Sequence, residues 1–82
     1  MDTKELIRAQ VRKLAGALGR PVRDVRDDEV LPQSGLLDSA SLLELILWVE
    51  SEFDLEIDQE DLSLDNFGTI QKMANYIEGR KR

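Results

Sequence analysis

The sequence predicts an all-α fold, a small four-helix bundle of three main helices and one short helix around a single core. Three observations predict it. Apolar residues recur at helical spacing in three segments, and glycine, proline and polar residues separate those segments. A chain of 82 residues that is 41% hydrophobic suits one compact domain with a modest core. No repeat or interdomain linker is visible, so we expect one domain over residues 1–82.

The first predicted helix runs from about Thr3 to Leu18. Its apolar face consists of Ile7, Val11, Leu14, Ala15 and Leu18. The helix is expected to end at Gly19-Arg20-Pro21, because glycine suits a helix C-terminus and proline cannot continue the hydrogen-bond ladder.

A long connection without a sustained period follows, from Arg20 to Asp38. A structureless loop of that length is unusual in so small a domain. We expect isolated apolar residues to attach it to the core, with a short helical turn near Val22 to Val25. These residues are Val22, Val25, Leu31, Leu36 and Leu37.

The second predicted main helix runs from Ser39 to Phe53 and has two apolar stripes. The first stripe has the width of a core-facing surface, about 100° of arc. Its members are Leu42, Leu45, Ile46, Val49 and Phe53.

The second stripe lies on another face of this helix and consists of Ala40, Leu43 and Leu47. It is either covered by the long connection or the short helix, or exposed as a patch ringed by Glu44, Glu50 and Ser51. Trp48 lies outside both stripes. We expect Trp48 to be partly exposed, as an anchor for a partner or as a lid on a neighbouring helix.

The rest of the chain predicts one short and one longer helix. After an extended Leu55–Ile57 we expect a short turn or helix at Gln59–Leu62 and a loop through Asn66-Phe67-Gly68. Thr69 is a suitable N-cap for the last helix. That helix places Ile70, Met73, Ala74 and Ile77 on one face. The tail from Gly79 is expected to be frayed.

Composition excludes several functions. The chain has no cysteine and no histidine, so it lacks a disulfide, a thiolate nucleophile, and the commonest general base and metal ligand. The net charge of −6 disfavours a nucleic-acid partner. The N-terminus does not resemble a signal peptide and no segment is long and apolar enough to span a membrane, so we expect a cytoplasmic protein without a membrane partner.

The charge is also segregated along the chain. Residues 27–71 contain 13 acidic side chains and no basic one. Such a run either solvates one face of the molecule or docks basic partner proteins.

Ser39 stands at the start of the second main helix. Asp38, Ser39 and Ser41 are all good N-cap types, and Ser41 with Glu44 matches a capping box. The same position suits a phosphodiester, because free backbone N–H groups and the positive end of the helix dipole lie there. Spacing alone leaves both roles open.

The stretch Gly35–Leu45 closely resembles the phosphopantetheine attachment region of carrier proteins. The family's Asp-Ser pair falls on Asp38-Ser39, its Glu-Leu pair on Glu44-Leu45, and its acidic-Phe ending on Glu52-Phe53-Asp54. The resemblance is specific from about Leu31 to Ile77. It departs from the family at Ala40, where leucine is usual, and this affects recognition by any given transferase.

The resemblance implies a free-standing, monomeric carrier domain of acyl-carrier-protein type. Its 4′-phosphopantetheine arm would come from coenzyme A and be attached to Ser39, with Asp38 helping to hold the site. The implied partners are a phosphopantetheinyl transferase, an adenylating ligase or acyltransferase, and downstream synthases or tailoring enzymes. The candidate docking residues are Ala40, Leu43, Glu44, Leu47, Trp48 and Glu50.

Three other interpretations of the sequence compete with the carrier. A cofactor-free helical interaction domain shares every feature except the need for Ser39. A hydrolase using Ser39 with Asp38 lacks a histidine or cysteine base and a nucleophile elbow. A calcium loop at Asp54–Asp65 lacks the ligand spacing and central glycine of an EF-hand.

Overall fold

The computed structural model describes residues 2–20 and 24–80, and in these ranges it contains helices and no strand. In chain order the helices are α1 (Thr3–Ala17), α2 (Leu31–Ser34), α3 (Ser39–Glu52), α4 (Leu64–Phe67) and α5 (Ile70–Arg80). A 3₁₀ turn at Gln59–Asp61 lies between α3 and α4. The predicted all-α bundle is confirmed. Among the described residues, no helix combines the length and the hydropathy needed to cross a bilayer.

The three long helices enclose the core, with α1 packed against both α3 and α5. The buried side chains come from the faces that the apolar spacing predicts. They are Ile7, Val11 and Ala15 of α1, Leu45, Ile46 and Val49 of α3, and Ile70, Met73, Ala74 and Ile77 of α5. Leu42 and Phe53, the other members of the predicted α3 stripe, are partly buried against this cluster.

α1 ends at Ala17, so Leu18 is the C-cap and is 41% exposed instead of buried. Gly19 follows with a φ of 76°, a left-handed conformation that glycine adopts without the clash of a Cβ. This turn lets the Arg20 N–H donate to the Ala15 carbonyl over 3.0 Å. The predicted stop at Gly19 is confirmed.

The connection before α3 is attached to the core as predicted, through buried Val25, Leu31, Leu36 and Leu37. The helical turn expected near Val22–Val25 falls partly on residues 22 and 23, which lie outside the described ranges, while Asp24 and Val25 are not helical. The turn in this connection is α2, where buried Leu31 donates its N–H to the Gly68 carbonyl over 2.9 Å.

The segment between α3 and α5 is more helical than predicted. The expected loop through Asn66 and Phe67 is wrong, because both residues belong to α4. Phe67 is fully buried, and the Asn66 side-chain amide donates to the Asp61 carbonyl over 2.9 Å. Burial of Phe67 and this hydrogen bond hold α4, a four-residue helix that is too short to show an apolar period in the sequence.

α5 begins as predicted, since the Thr69 hydroxyl accepts a hydrogen bond from the Lys72 N–H over 3.0 Å. The helix continues through Gly79 to Arg80, so the fraying expected at these two residues is wrong. Arg80 forms ion pairs with Asp58 and Asp61, and these fasten the last turn. Residues 81–82 lie outside the described ranges.

Candidate functional site

Asp38 is the N-cap of α3. Its backbone is extended, and its Oδ1 accepts a hydrogen bond from the Ser41 N–H over 2.8 Å. Hydrogen bonding from Ser41, first by its backbone N–H and then by its hydroxyl, lowers the pKa of Asp38 below 3.8, and the Arg20 charge adds to this. Of the three N-cap types that the sequence offers here, Asp38 is the cap, while Ser41 is a buried residue of the first turn that donates to it.

Ser39 is the first residue of α3 and is exposed. Because Asp38 caps the helix, the Ser39 side chain is not required for that role. The first-turn N–H groups and the positive end of the α3 dipole lie beside it, which is favourable for a phosphate ester. The helix start therefore holds an accessible hydroxyl in an environment that suits an added anion.

An apolar groove of about 360 Å³ opens beside Ser39. Its wall on α3 consists of Ser39, Leu42, Leu43 and Ile46, and its opposite wall of Leu62, Ser63 and Leu64, with Pro32 and Phe67 completing the lining. Among the residues that the structure describes, no charged side chain lines it. A molecule attached to Ser39 could place an apolar part in this groove without desolvating an ionic group. A larger, open depression lies on the polar turn at Asp58, Gln59 and Glu60.

The second apolar stripe of α3 is exposed. Leu43 is 51% and Leu47 is 58% exposed, and Ala40 and Glu44 are exposed beside them. Neither the short helices nor the described part of the long connection covers this face, so of the two interpretations of the stripe the structure favours the apolar patch. We call these four residues the α3 patch.

The other two candidate docking residues, Trp48 and Glu50, are only partly exposed. Trp48 is partly buried against the core and makes an edge-to-face contact with Phe53, with ring centroids 5.8 Å apart. Glu50 is partly buried, and its Oε2 accepts a hydrogen bond from the Ile57 N–H over 2.9 Å. Both side chains therefore also have structural roles. Trp48 is partly exposed as predicted, and its use as an anchor for a partner stays a prediction.

Several described basic side chains form ion pairs with acidic residues. Arg8 pairs with Glu5 and Asp27, and Lys4 also pairs with Asp27. At the far end of the chain Arg80 pairs with Asp58 and Asp61. Since no basic residue occurs from residue 27 to residue 71, the charged side chains of α3 are all acidic, and Arg20 is a basic residue whose charge acts on Asp38.

Sequence reasoning missed the groove wall opposite α3. Leu62 and Leu64 are 39% and 49% exposed and follow an acidic turn with no helical period. The available signal was the pair of leucines on either side of Ser63, because a short turn on the surface does not need two large apolar side chains in a polar stretch. Their position against Ser39 depends on tertiary packing and could not be read from spacing.

Comparisons with known proteins show which family the chain resembles. A family model described as "Phosphopantetheine attachment site" matches residues 11–77. A D-alanyl carrier protein of Leuconostoc mesenteroides is 33% identical over 78 residues, which cover 95% of each chain. An acyl carrier protein of Buchnera aphidicola is 30% identical over 66 residues, covering 74% of this chain and 81% of its own. No solved structure matches the chain significantly.

Proposed function

The chain belongs to the phosphopantetheine-attachment family of acyl and D-alanyl carrier proteins, and we propose that Ser39 is the residue that carries its arm. Members of this family hold a covalently attached 4′-phosphopantetheine. The observation that carries the proposal is that Asp38 caps α3, which leaves an exposed hydroxyl at Ser39.

In this proposal a transferase joins the Ser39 oxygen to the phosphopantetheine phosphorus of coenzyme A. The pyrophosphate bond breaks, the nucleotide half leaves as a bisphosphate, and the serine proton passes to a base on the transferase. The first-turn N–H groups of α3 and its dipole stabilise the phosphodiester that results. Because the chain has no cysteine, the thiol at the end of the arm would be its one reactive sulfur.

The proposed cargo is an acyl or aminoacyl group held on that thiol as a thioester. Two D-alanyl carriers of Leuconostoc species, the second 34% identical over 61 residues, favour an aminoacyl group, whereas the Buchnera relative favours an acyl group. The pathways served would be polyketide, nonribosomal-peptide, fatty-acid or related specialised biosynthesis. The groove beside Ser39 favours cargo with an apolar part.

We further propose that the domain works as a non-catalytic monomer in the cytoplasm, where coenzyme A is the arm's donor. The partners would be a phosphopantetheinyl transferase, an adenylating ligase or acyltransferase, and downstream synthases or tailoring enzymes. Basic partner surfaces would be steered by the acidic surface and would seat on Leu43 and Leu47 of the α3 patch. The arm raises the effective concentration of cargo at each enzyme it visits.

The test is intact-mass measurement after co-expression with a broad-specificity transferase. We expect one phosphopantetheine adduct, absent from Ser39→Ala and retained in Ser51→Ala, which removes an exposed hydroxyl from the other end of the same helix. An adduct that survives Ser39→Ala would place the attachment elsewhere. A chain left unmodified by several transferases would favour the cofactor-free interaction domain, which the exposed leucines and acidic surface also fit.

A further inference from the structure

The groove wall opposite α3 is weakly anchored by its own side chains. Leu62 and Leu64 are both exposed, and the preceding 3₁₀ turn at Gln59–Asp61 buries none of its residues. The segment is attached to the core on either side, by partly buried Ile57 before it and fully buried Phe67 after it. Between these two points, polar contacts must hold the wall.

Those contacts converge on Asp61, next to Leu62 in the chain. Its Oδ2 accepts hydrogen bonds from the Tyr76 hydroxyl over 2.8 Å and from Arg80 Nη2 over 3.0 Å. Arg80 Nη2 also lies 3.3 Å from Asp58 Oδ2 and 2.8 Å from the Tyr76 oxygen. The Asp61 carbonyl accepts the Asn66 amide at the same time. We call Asp58, Asp61, Tyr76 and Arg80 the α5 clasp.

The clasp is supported from the core side. The Tyr76 ring packs against fully buried Phe67 with centroids 4.9 Å apart, so its hydroxyl is held at a fixed position on α5. Burial, followed by the hydrogen bond to Asp61, raises the pKa of Tyr76, which keeps the phenol a proton donor to Asp61. The guanidinium of Arg80 lies 5.1 Å from the centroid of the same ring.

We propose that the α5 clasp fixes the Leu62–Leu64 wall against α3 and thereby determines how well the groove shields apolar cargo carried on Ser39. Tyr76 and Arg80 are positioning residues in this scheme, since they line no part of the groove. Without the clasp, the wall keeps its attachments at Ile57 and Phe67 and the Asn66 hydrogen bond to the Asp61 carbonyl, but it loses its side-chain contacts to α5. The inference rests on the proposed arm at Ser39.

The first test measures the wall itself and uses the unmodified chain. Amide hydrogen exchange is compared for wild type and for Tyr76→Phe with Arg80→Gln, a pair that keeps the aromatic ring on Phe67. We expect exchange in residues 58–66 to become about 3- to 10-fold faster while α1 is unaffected, as loss of a few modest hydrogen bonds predicts.

The matched control is Lys72→Gln, which removes one exposed charge from the same helix without touching the clasp. Asp61→Asn is a second variant that acts from the other side of the contact and leaves α5 intact. Unchanged exchange in the wall for both clasp variants would overturn the proposal. Equal acceleration throughout the protein would overturn it as well, because it would show a general loss of stability.

The second test measures shielding of the cargo. A broad-specificity transferase loads acetyl or octanoyl arms from the corresponding coenzyme A thioesters, and cleavage by hydroxylamine is timed. We expect octanoyl to be cleaved several-fold more slowly than acetyl in wild type and in Lys72→Gln. In the clasp variants this ratio should fall towards one, with the acetyl rate unchanged.

The two proposals fail in different ways. If no arm can be attached at Ser39, the proposed function fails, while the exchange test on the unmodified chain still reports on the wall. If the arm is attached but octanoyl is not protected in wild type, or is equally protected without the clasp, the inference fails and the carrier function stands.

Discussion

Leu47→Ala tests whether the α3 patch is a docking surface. Leu47 is 58% exposed, and fully burying a leucine contributes about 1.5–3 kcal/mol. Covering the exposed part of this side chain by a partner therefore contributes about 1 to 1.5 kcal/mol. Truncation should lower the catalytic efficiency of phosphopantetheine transfer by about 5- to 10-fold.

The assay is kcat/KM for transfer from coenzyme A, with the unfolding free energy measured by urea denaturation followed by far-UV circular dichroism. The stability of Leu47→Ala should remain within about 0.5 kcal/mol of wild type, since the residue lies outside the core. Leu18→Ala is the matched control, because Leu18 is a leucine of similar exposure, 41%, at the end of α1 and outside both the patch and the groove.

The reasoning is refuted if Leu47→Ala is modified as efficiently as wild type. It is refuted equally if Leu18→Ala slows transfer by the same factor, because the loss would then follow from removing any exposed leucine. A large loss of stability in Leu47→Ala would contradict the exposure of this face.

Three further predictions concern the fold. Leu45→Ala, at a fully buried position of α3, should cost about 2–5 kcal/mol out of the roughly 4–12 kcal/mol expected for a chain of this length, as measured by urea denaturation. Gly68→Ala should destabilise the fold by about 1–3 kcal/mol, because the added Cβ would lie 2.5 Å from the Leu64 carbonyl oxygen. Gly79→Ala should stabilise it by about 0.5–1 kcal/mol, because a Cβ there would meet nothing within 4 Å. Urea midpoints that move in the same direction for the two variants would contradict this pair of predictions. The lowered pKa of Asp38 means that its stabilising effect is present above pH 3.8 and is lost as the pH falls through the folded-state pKa. Asp38→Asn keeps a capping side chain that does not titrate, so its stability should fall less steeply in acid than that of wild type. The measurement is the urea midpoint as a function of pH. The same acid dependence in both proteins would contradict this prediction.

The long helices could be predicted because their signals are local. Core-facing residues such as Ile7, Val49 and Ile77 repeat at helical spacing, and the stop at Gly19 and the cap at Thr69 are side-chain effects within a few residues. α2 and α4 have no such signal. Each is a four-residue turn held by burial of Leu31 or Phe67, and by contacts between segments distant in the chain.

The candidate site divides in the same way. The Asp38-Ser39 pair was found from its motif. The structure adds that Asp38, and not Ser39, caps the helix. The groove could not be found from the sequence, because Leu62 and Leu64 reach Ser39 only through tertiary packing. Periodicity could also not decide whether Leu43 and Leu47 were covered, since that depends on where the short helices lie.

α3 has three functional faces, and this follows from the geometry of one helix. Successive side chains turn by about 100°, so the core face and the patch occupy separate arcs of its circumference, and the groove wall overlaps the core face at Leu42 and Ile46. Leu43 belongs to both the groove lining and the exposed patch. A partner that seats on the patch must therefore also contact the rim of the groove that opens beside Ser39. If the proposed arm at Ser39 and the proposed docking at the patch both hold, docking and access to the cargo are physically linked through the Leu43 side chain.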